Sequence, residues 1–394
     1  MAITKDVNER LTRYGPGTPA GEMFRRYWHP VAVMTELSDE APTKLVRILG
    51  EDLVLFRDKI RRVGLLADHC AHRGASLLYG RVEERGISCA YHGWLYDTDG
   101  NCLETPAEPA DSHFCLTVKQ KAYPVRAHFG LYWAYLGPSP VPALPGCGVL
   151  PTWRVTGIEE QIDIQANWLQ VIENNVDGTH FPILHQESGA MRYPGKPANT
   201  TRGFIDQFVS LEYWEEPFGI MRRQVYASGG GEEDALMFPN IKRRTEEVSI
   251  KVPVDDTHTK KYVIFFDPST KSTQDLPIEH WLRQDHAELV GPDGRNRMDE
   301  IRFQDLTVMH TQGAISEREN WRLGASDRGI ALLHEVLLRE IDKVERGLDP
   351  IGVIRYPEAS PVDEGAAIRL VMRAHFKGHG IRVYPKDPAA VGSH

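Results

Sequence analysis

Hydrophobic and polar positions alternate in short runs after the first forty or so residues. These runs are rich in β-branched and aromatic residues and are separated by turn residues, as in KLVRILGEDLVLFRD from Lys44 and LYWAYLG from Leu131. Alternation of this kind, bounded by glycine and aspartate, is typical of short strands. The pattern predicts a small all-β domain over residues 45–137. Residues 1–44, which contain AGEMFRRYWHPVAV, are predicted to form a helical lead-in packed against it.

A stretch rich in proline and glycine, GPSPVPALPGCGVLP, follows this domain from Gly137 to Pro151. Neither a helix nor a central strand runs through such a composition. We therefore predict a linker over residues 138–151 and a second domain over residues 152–394.

The second domain mixes both periodicities. Strand-like alternation occurs in FIDQFVSLEYWEEPFGIMRRQVYA and KKYVIFFDP, whereas the segment from Trp168 to Val176 has a helical pattern. Between Ser326, a candidate N-cap, and the stop signals Gly347 and Pro350, the apolar residues fall at helical spacing. They are Ile330, Leu333, Leu337, Ile341 and Val344. An amphipathic helix of this kind covers a sheet, so the second domain is predicted to be α+β.

Composition and charge exclude several classes of protein. The net charge of -9 is spread over 394 residues, which argues against nucleic acid as a partner. No run of about eighteen apolar residues exists, and the first residues lack the layout of a signal peptide, so we expect no membrane association. Five cysteines are few and odd in number for this length, which suits a reducing compartment. We expect a cytoplasmic protein.

Two cysteine–histidine pairs are the strongest chemical signal. HCAHRGASL supplies Cys70 and His72, and CAYHGW supplies Cys89 and His92. Chance pairing in ordinary loops is disfavoured because both pairs sit beside turn glycines at a spacing that two hairpin loops would give. A structural zinc site has suitable ligand types, but Cys-x-His is shorter than the usual ligand separation. A [2Fe-2S] cluster with two cysteines on one iron and two histidines on the other is the interpretation that we favour.

The same residues resemble a known motif. Cys70-x-His72-Arg73-Gly74 and Cys89-x-x-His92-Gly93-Trp94 are similar to the Rieske motif in the oxygenase component of Rieske non-heme iron oxygenases. The resemblance implies that the two cysteines hold one iron and the two histidines the other. It also implies an all-β Rieske domain followed by a helix-grip-type α+β catalytic domain with an antiparallel sheet. A Rieske electron-transfer protein would carry the same motif, but it would not need the long second half.

The second half contains NNVDGTHFPILH, with Asp177, His180 and His185. Histidines five residues apart on a regular helix lie about 140° apart around its axis, too far to share a metal. A ligand pair at this spacing therefore requires a broken helix, and Gly178 and Pro182 could break it. Two imidazoles and one carboxylate would form a facial triad with open positions on Fe(II).

This spacing resembles the mononuclear iron motif of the same family. The resemblance implies that His180 and His185 bind the iron, that Asp177 is a bridging carboxylate, and that Asn174 lies near the metal.

The third ligand must come from elsewhere in the chain. RFQDLTVMHTQGAISEREN resembles the stretch that carries it in phthalate dioxygenase-like members, which implies Asp305. Chemistry alone leaves Asp299 and Glu300 as competitors.

The resemblance also implies partners. The chain has no Gly-x-Gly-x-x-Gly motif for a dinucleotide, so electrons must come from a separate reductase of the flavin and ferredoxin type. The resemblance also implies a homo-oligomer, which would be a trimer or stacked trimers. In it, Asp177 would link the cluster of one subunit to the iron of the next.

The reaction implied is O2-dependent hydroxylation of an aromatic substrate. An aromatic carboxylate is favoured because an arginine in a pocket would pair with it bidentately. The arginines considered are Arg202, Arg222, Arg223, Arg243 and Arg244, of which Arg202, Arg243 and Arg244 lie in regions that correspond to phthalate-type relatives. O- or N-dealkylation of a methoxylated or N-alkylated aromatic is the alternative reaction. Two other classes remain open: a Rieske electron-transfer protein without oxygenase activity, and a zinc-binding domain fused to a ligand-binding α+β fold.

Overall fold

The computed structural model describes residues 3–144, 154–185, 208–226, 231–243, 247–267 and 278–355. These residues form an N-terminal half made of three small sheets and a C-terminal half built on one large sheet. The predicted order, a β domain followed by an α+β domain, is confirmed.

Two helices and a strand form the start of the chain. They are α1 (Lys5–Thr12), α2 (Pro19–Arg25) and β1 (Trp28–Val33). The helical prediction for AGEMFRRYWHPVAV is therefore wrong after Arg25. Pro30 cannot donate to a helix ladder, and the β-branched residues around it suit a strand. β1 is buried along its whole length and pairs antiparallel with a distant strand that begins at Leu131.

Ten further strands complete the N-terminal half, and the predicted runs KLVRILGEDLVLFRD and LYWAYLG are strands as expected. They are β2 (Thr43–Ile48), β3 (Glu51–Arg57), β4 (Val63–Ala67), β5 (Arg81–Glu83), β6 (Gly86–Ser88), β7 (Leu95–Tyr96), β8 (Cys102–Glu104), β9 (Ala122–Tyr123), β10 (Val125–His128) and β11 (Leu131–Tyr135). The three sheets have the strand orders β1-β11-β10, β2-β3-β4-β9 and β5-β6-β7-β8.

One eight-stranded sheet forms the frame of the C-terminal half. Its strands are β12 (Arg154–Ile164), β13 (Phe208–Glu216), β14 (Gly219–Tyr226), β15 (Gly231–Met237), β16 (Ile241–Arg243), β17 (Glu247–Pro253), β18 (Thr259–Asp267) and β19 (Glu279–Arg283). The spatial order is β13-β14-β15-β16-β17-β18-β12-β19, and all neighbours are antiparallel except β12 and β19.

Five helices lie in the described part of the C-terminal half. They are α3 (Trp168–Val176), α4 (His180–Leu184), α5 (Asp285–Leu289), α6 (Ile301–Thr311) and α7 (Arg328–Glu345). α3 contacts β17 and α7 contacts β13. The five apolar positions predicted for α7 are all buried, but Asp327 rather than Ser326 occupies the N-cap position.

A single hydrophobic core joins the two halves. Trp28 and Trp133 from the N-terminal half pack in the same cluster as Trp168 and Leu333. Phe24 of α2 meets Trp168 edge to face, with ring centroids 4.6 Å apart. Within the part of the chain that the structure describes, no helix is long and apolar enough to span a bilayer.

Candidate active site

Two loops of the N-terminal half have the same backbone closure. In the first, the N–H of Cys70 donates to the carbonyl five residues later, and the N–H of Gly74 donates back to the Cys70 carbonyl; both distances are 2.9 Å. Cys89 and Gly93 repeat both hydrogen bonds, again at 2.9 Å. Gly74 and Gly93 have a φ of 72°, which glycine adopts without strain. A glycine four positions after each cysteine is the sequence signal for this closure.

The loops bring two thiols and two imidazoles together. Cys70 and Cys89 are buried, and the ring centroids of His72 and His92 lie 4.5 Å apart. Burial raises the pKa of the Cys89 thiol, and the neighbouring Cys70 adds to this effect. The hydroxyl of Tyr96 lies 3.2 Å from the Cys70 sulfur. Two thiols and two imidazoles are the kinds of ligand that a Rieske-type [2Fe-2S] cluster requires.

His72 carries the observation that tests this fit. Its Nδ1 atom is buried, and no hydrogen-bond partner for it exists among the described residues. Its ring is stacked on Trp94, with centroids 4.2 Å apart and planes 8° apart. A buried polar nitrogen without a partner is costly, whereas a ligand nitrogen gains its partner from the metal. The loop residues therefore fit a Rieske cluster.

Three donors converge in the C-terminal half. The Nε2 atoms of His180 and His185 lie 3.6 Å and 3.3 Å from Oδ1 of Asp305, and the three donor atoms all lie within 4.8 Å of one another. Metal–ligand bonds of about 2.1 Å at right angles separate adjacent donors by about 3.0 Å. The three donor atoms could therefore bind one metal ion from the same side after small movements of the side chains.

The competing carboxylates are elsewhere. Asp299 is paired with Arg297 and its side chain is 61% exposed. Glu300 precedes α6 and pairs with Arg297 and Arg302. Neither belongs to the group of three donors.

The helix break lies ahead of both histidines rather than between them. α3 ends at Val176 and α4 begins at His180, so Gly178 lies in the break. A Cβ atom on Gly178 would lie 2.8 Å from the ends of two side chains. The prediction that Pro182 breaks the helix is wrong, because it sits in the first turn of α4, where the missing N–H has no helical partner. The histidines converge because α4 is short and His185 lies just past its end.

Three side chains from the sheet fix this break by binding consecutive carbonyls at the end of α3. We call Tyr213, Arg222 and Lys242 the carbonyl clamp. Lys242 Nζ donates to the Asn175 carbonyl at 2.5 Å, the Tyr213 hydroxyl to the Val176 carbonyl at 3.0 Å, and Arg222 Nη1 to the Asp177 carbonyl at 3.3 Å. Cationic side chains are favourable at a helix C-terminus. The clamp therefore sets where the chain leaves α3 and enters α4.

The clamp changes the interpretation of the arginines. Arg222 is buried and forms an ion pair with Asp234, which also lies 3.3 Å from Lys242. Arg223 donates to Glu233 at 2.6 Å. Both arginines are thus engaged within the sheet. Arg243 is half-buried on β16, and Arg202 and Arg244 lie outside the described residues.

Polar groups surround the three donors. Asp177 Oδ2 lies 3.2 Å from Nδ1 of His180, and Asp177 Oδ1 accepts two hydrogen bonds of 2.7 Å from Thr179. Burial would raise the pKa of the Asp177 carboxyl, but the hydrogen bonds from His180 and Thr179 hold it below its ordinary value. Asn174 donates to Asp305 at 3.3 Å.

A crevice of about 470 Å³ opens beside these residues. Asp177, whose side chain is 24% exposed, and His180 form its polar wall. Ile183, Met309 and Leu323 are among its apolar residues. The side of the Asp177 carboxylate that faces the crevice is therefore accessible to solvent.

A buried ion triad, missed by sequence reasoning, lies at the wall of the crevice, which Glu173 lines. Arg318 donates twice to Glu173 at 2.6 Å, and Nε2 of His334 lies 2.5 Å from the same carboxylate. Burial alone would raise the pKa of Glu173, but the charge and hydrogen bonds of Arg318, together with His334, leave it lowered. The triad anchors α3 one residue before Asn174.

Comparison with known proteins adds three findings. Residues 27–124 match the Rieske [2Fe-2S] domain, and all four loop donors lie within them. The chain is 33% identical over 371 residues to the 5,5'-dehydrodivanillate O-demethylase oxygenase subunit of Sphingobium sp. (strain NBRC 103272 / SYK-6), covering 90% of this chain and 84% of that one. It is 32% identical over 396 residues to the phthalate 4,5-dioxygenase oxygenase subunit of Pseudomonas putida, covering 89% of each.

The fold has solved neighbours. The oxygenase in its reduced complex with ferredoxin in carbazole 1,9a-dioxygenase superposes with a TM-score of 0.57 at 18% identity. The match covers 85% of this chain and 94% of that one. At this identity the likeness establishes the fold alone.

Proposed function

This chain belongs to the oxygenase components of the Rieske non-heme iron oxygenases, and on that premise we propose that it hydroxylates an aromatic carboxylate with O2. Its cofactors are a Rieske [2Fe-2S] cluster and a mononuclear iron. The convergence of two imidazoles and one carboxylate, in a chain that also contains two Rieske loops, carries the oxygenase part of the proposal. Similarity to the phthalate 4,5-dioxygenase oxygenase subunit supports an aromatic carboxylate as the substrate.

We assign the ligands as follows from the two donor groups. Cys70 and Cys89 would hold one iron of the cluster and His72 and His92 the other, while His180, His185 and Asp305 would hold the mononuclear iron. Held by these three ligands, an Fe(II) ion would supply a coordination position for O2 and an electron to activate it.

The protein's own contribution is to orient these ligands. A hydrogen bond from Nδ1–H of His180 to Asp177 leaves the Nε2 lone pair directed at the metal position. Asn174 donates to Asp305 and thereby restricts how that carboxylate rotates. The carbonyl clamp holds the backbone on which Asp177 and His180 stand.

Asp177 is the proposed bridge between subunits of a homotrimer. The two oxygens of its carboxylate contact His180 and Thr179. The side of the carboxylate that faces the crevice could accept a further hydrogen bond from a histidine of a second copy. An Asp177→Asn variant should keep the Rieske visible spectrum and the iron content while losing turnover. A fully active variant would remove Asp177 from the electron route.

Electrons would come from a separate partner. The carbazole 1,9a-dioxygenase neighbour was solved with a ferredoxin, which supports a separate electron-transfer protein here. We propose a reductase of the flavin and ferredoxin type that draws on NAD(P)H.

O-demethylation is the second candidate reaction, because one relative is an O-demethylase oxygenase subunit. The test is a panel of aromatic carboxylates and methoxylated aromatics, supplied to the iron-loaded protein with a reductase. Dihydrodiol formation would support dioxygenation, and formaldehyde release would support demethylation. A His185→Ala variant, matched for cluster content, should form neither product. If no panel member is oxidised although both iron centres are loaded, the aromatic assignment is wrong.

A further inference from the structure

We propose that Gln304 is a positioning residue that fixes the tautomer and orientation of His185. The inference rests on the iron site proposed above. Gln304 lies on α6, immediately before Asp305, and it is 4% exposed. Its amide oxygen lies 2.7 Å from Nδ1 of His185, which is itself 1% exposed.

The orientation of the amide follows from its second contact. The Gln304 Nε2 atom donates to the Met298 carbonyl at 2.8 Å. A carbonyl oxygen can only accept, so the NH2 end of the amide must face Met298 and the oxygen must face His185. The backbone ahead of α6 therefore decides which end of Gln304 the histidine meets.

The histidine tautomer follows in turn. The amide oxygen can only accept, so Nδ1 of His185 must carry the hydrogen. The neutral ring then has its lone pair on Nε2, the atom that faces Asp305 at 3.3 Å. Gln304 thus prepares His185 to bind a metal before the metal arrives, which lowers the cost of ordering the ligand.

The two histidines are supported by different chemistry. Nδ1 of His180, a partly exposed residue, contacts the carboxylate of Asp177. Nδ1 of the buried His185 instead contacts the neutral amide of Gln304. A carboxylate at position 304 would accept the same hydrogen bond, while an apolar side chain would not. This difference supplies a loss variant and a conservative variant at one position.

The experiment measures metal affinity without turnover. Protein with a full Rieske cluster but no mononuclear iron is titrated with Co(II) in competition with a fluorescent chelator. Gln304→Leu should weaken binding roughly 10- to 100-fold. Gln304→Glu keeps the acceptor for His185 but loses the donor to the Met298 carbonyl, so it should weaken binding less than Gln304→Leu does. The Rieske visible spectrum verifies that each variant is folded.

Gln170→Leu is the matched control. Gln170 is also a buried glutamine, with hydrogen bonds to the Met309 and Gly313 carbonyls at 3.1 Å and 2.9 Å. It contacts neither histidine through these bonds, so its loss should leave the Co(II) affinity unchanged.

Three outcomes would overturn the inference. If Gln304→Leu binds Co(II) as tightly as the wild type, Gln304 does not position His185, although the iron site stands. If Gln170→Leu weakens binding equally, the effect is general destabilisation. If the wild type itself does not bind Co(II), the proposed iron site fails and the inference fails with it.

Discussion

Arg318→Met tests the energetic weight of the buried ion triad. The Arg318 side chain is fully buried, and its Nε and Nη2 atoms each donate to Glu173 at 2.6 Å. A third nitrogen, Nη1, donates to Asn8 at 3.1 Å, which ties α1 to the same cluster. Methionine has a similar length, so the substitution removes the charge and the donors with only a small change in packed volume.

The expected loss is large because a carboxylate stays behind. Breaking a buried ion pair by removing one partner costs about 3–5 kcal/mol, since the remaining charge is uncompensated. In the wild type the pKa of Glu173 is lowered. Without Arg318, burial should raise it instead, and the folded variant should bind a proton more readily than the unfolded chain. The penalty should therefore shrink as pH falls from about 7.5 towards 5.5.

The assay is urea unfolding of both proteins at these two pH values, followed by circular dichroism. Arg322→Met is the matched control, because this exposed arginine donates only to the carbonyls of Asn320 and Trp321 among the bonds identified for it. It should change the free energy of unfolding by no more than about 0.5 kcal/mol. A loss below about 1 kcal/mol for Arg318→Met, or a penalty independent of pH, would refute the reasoning.

Three further changes probe other parts of the fold. Tyr213→Phe removes the hydroxyl that accepts from Gly178 and donates to Val176. The variant should lower the urea midpoint by the equivalent of about 1–3 kcal/mol and reduce the Fe(II) content. Unchanged iron content would contradict the role given to the clamp. Gly178→Ala should cost no more than about 1 kcal/mol in thermal unfolding, because its Cβ would meet only the ends of two flexible side chains, which can move aside. A larger loss of stability would show that these side chains cannot move. Burial lowers the pKa of His29 from 6.5 to about 4. The unfolded chain then binds more protons between these values, so stability should fall by about 3 kcal/mol as pH drops through that window. His29→Gln should flatten this pH profile, and an equally steep profile would show that another group is responsible.

The features that could be predicted from the sequence are local ones. The Rieske donors stand in two short loops, each marked by a glycine at a fixed offset, so spacing alone points to a site. His180 and His185 share one segment in the same way. Strand alternation also located β13, β14 and β18, because the alternation of apolar and polar residues is a property of each strand's own sequence.

Features that depend on distant partners could not be predicted. The sequence pattern predicts a helix where β1 lies, because the pairing of β1 with β11 is a long-range contact that the local pattern does not reveal. Glu173 looks like an ordinary polar position of α3, yet its partners Arg318 and His334 come from 145 and 161 residues later. Asp305 was identified through family resemblance, and Gln304 beside it carried no local signal.

The matching closure of the two Rieske loops has a consequence for redesign. Main-chain groups form both rings of hydrogen bonds, so neither histidine side chain takes part in closing the loops. His72 and His92 could therefore be exchanged for cysteine while the turns persist. Because thiolates in place of imidazoles favour the oxidised cluster, such a protein would have a far lower midpoint potential on an unaltered scaffold. The loop backbone would thus hold the cluster with either type of ligand, while the two side chains would set its midpoint potential.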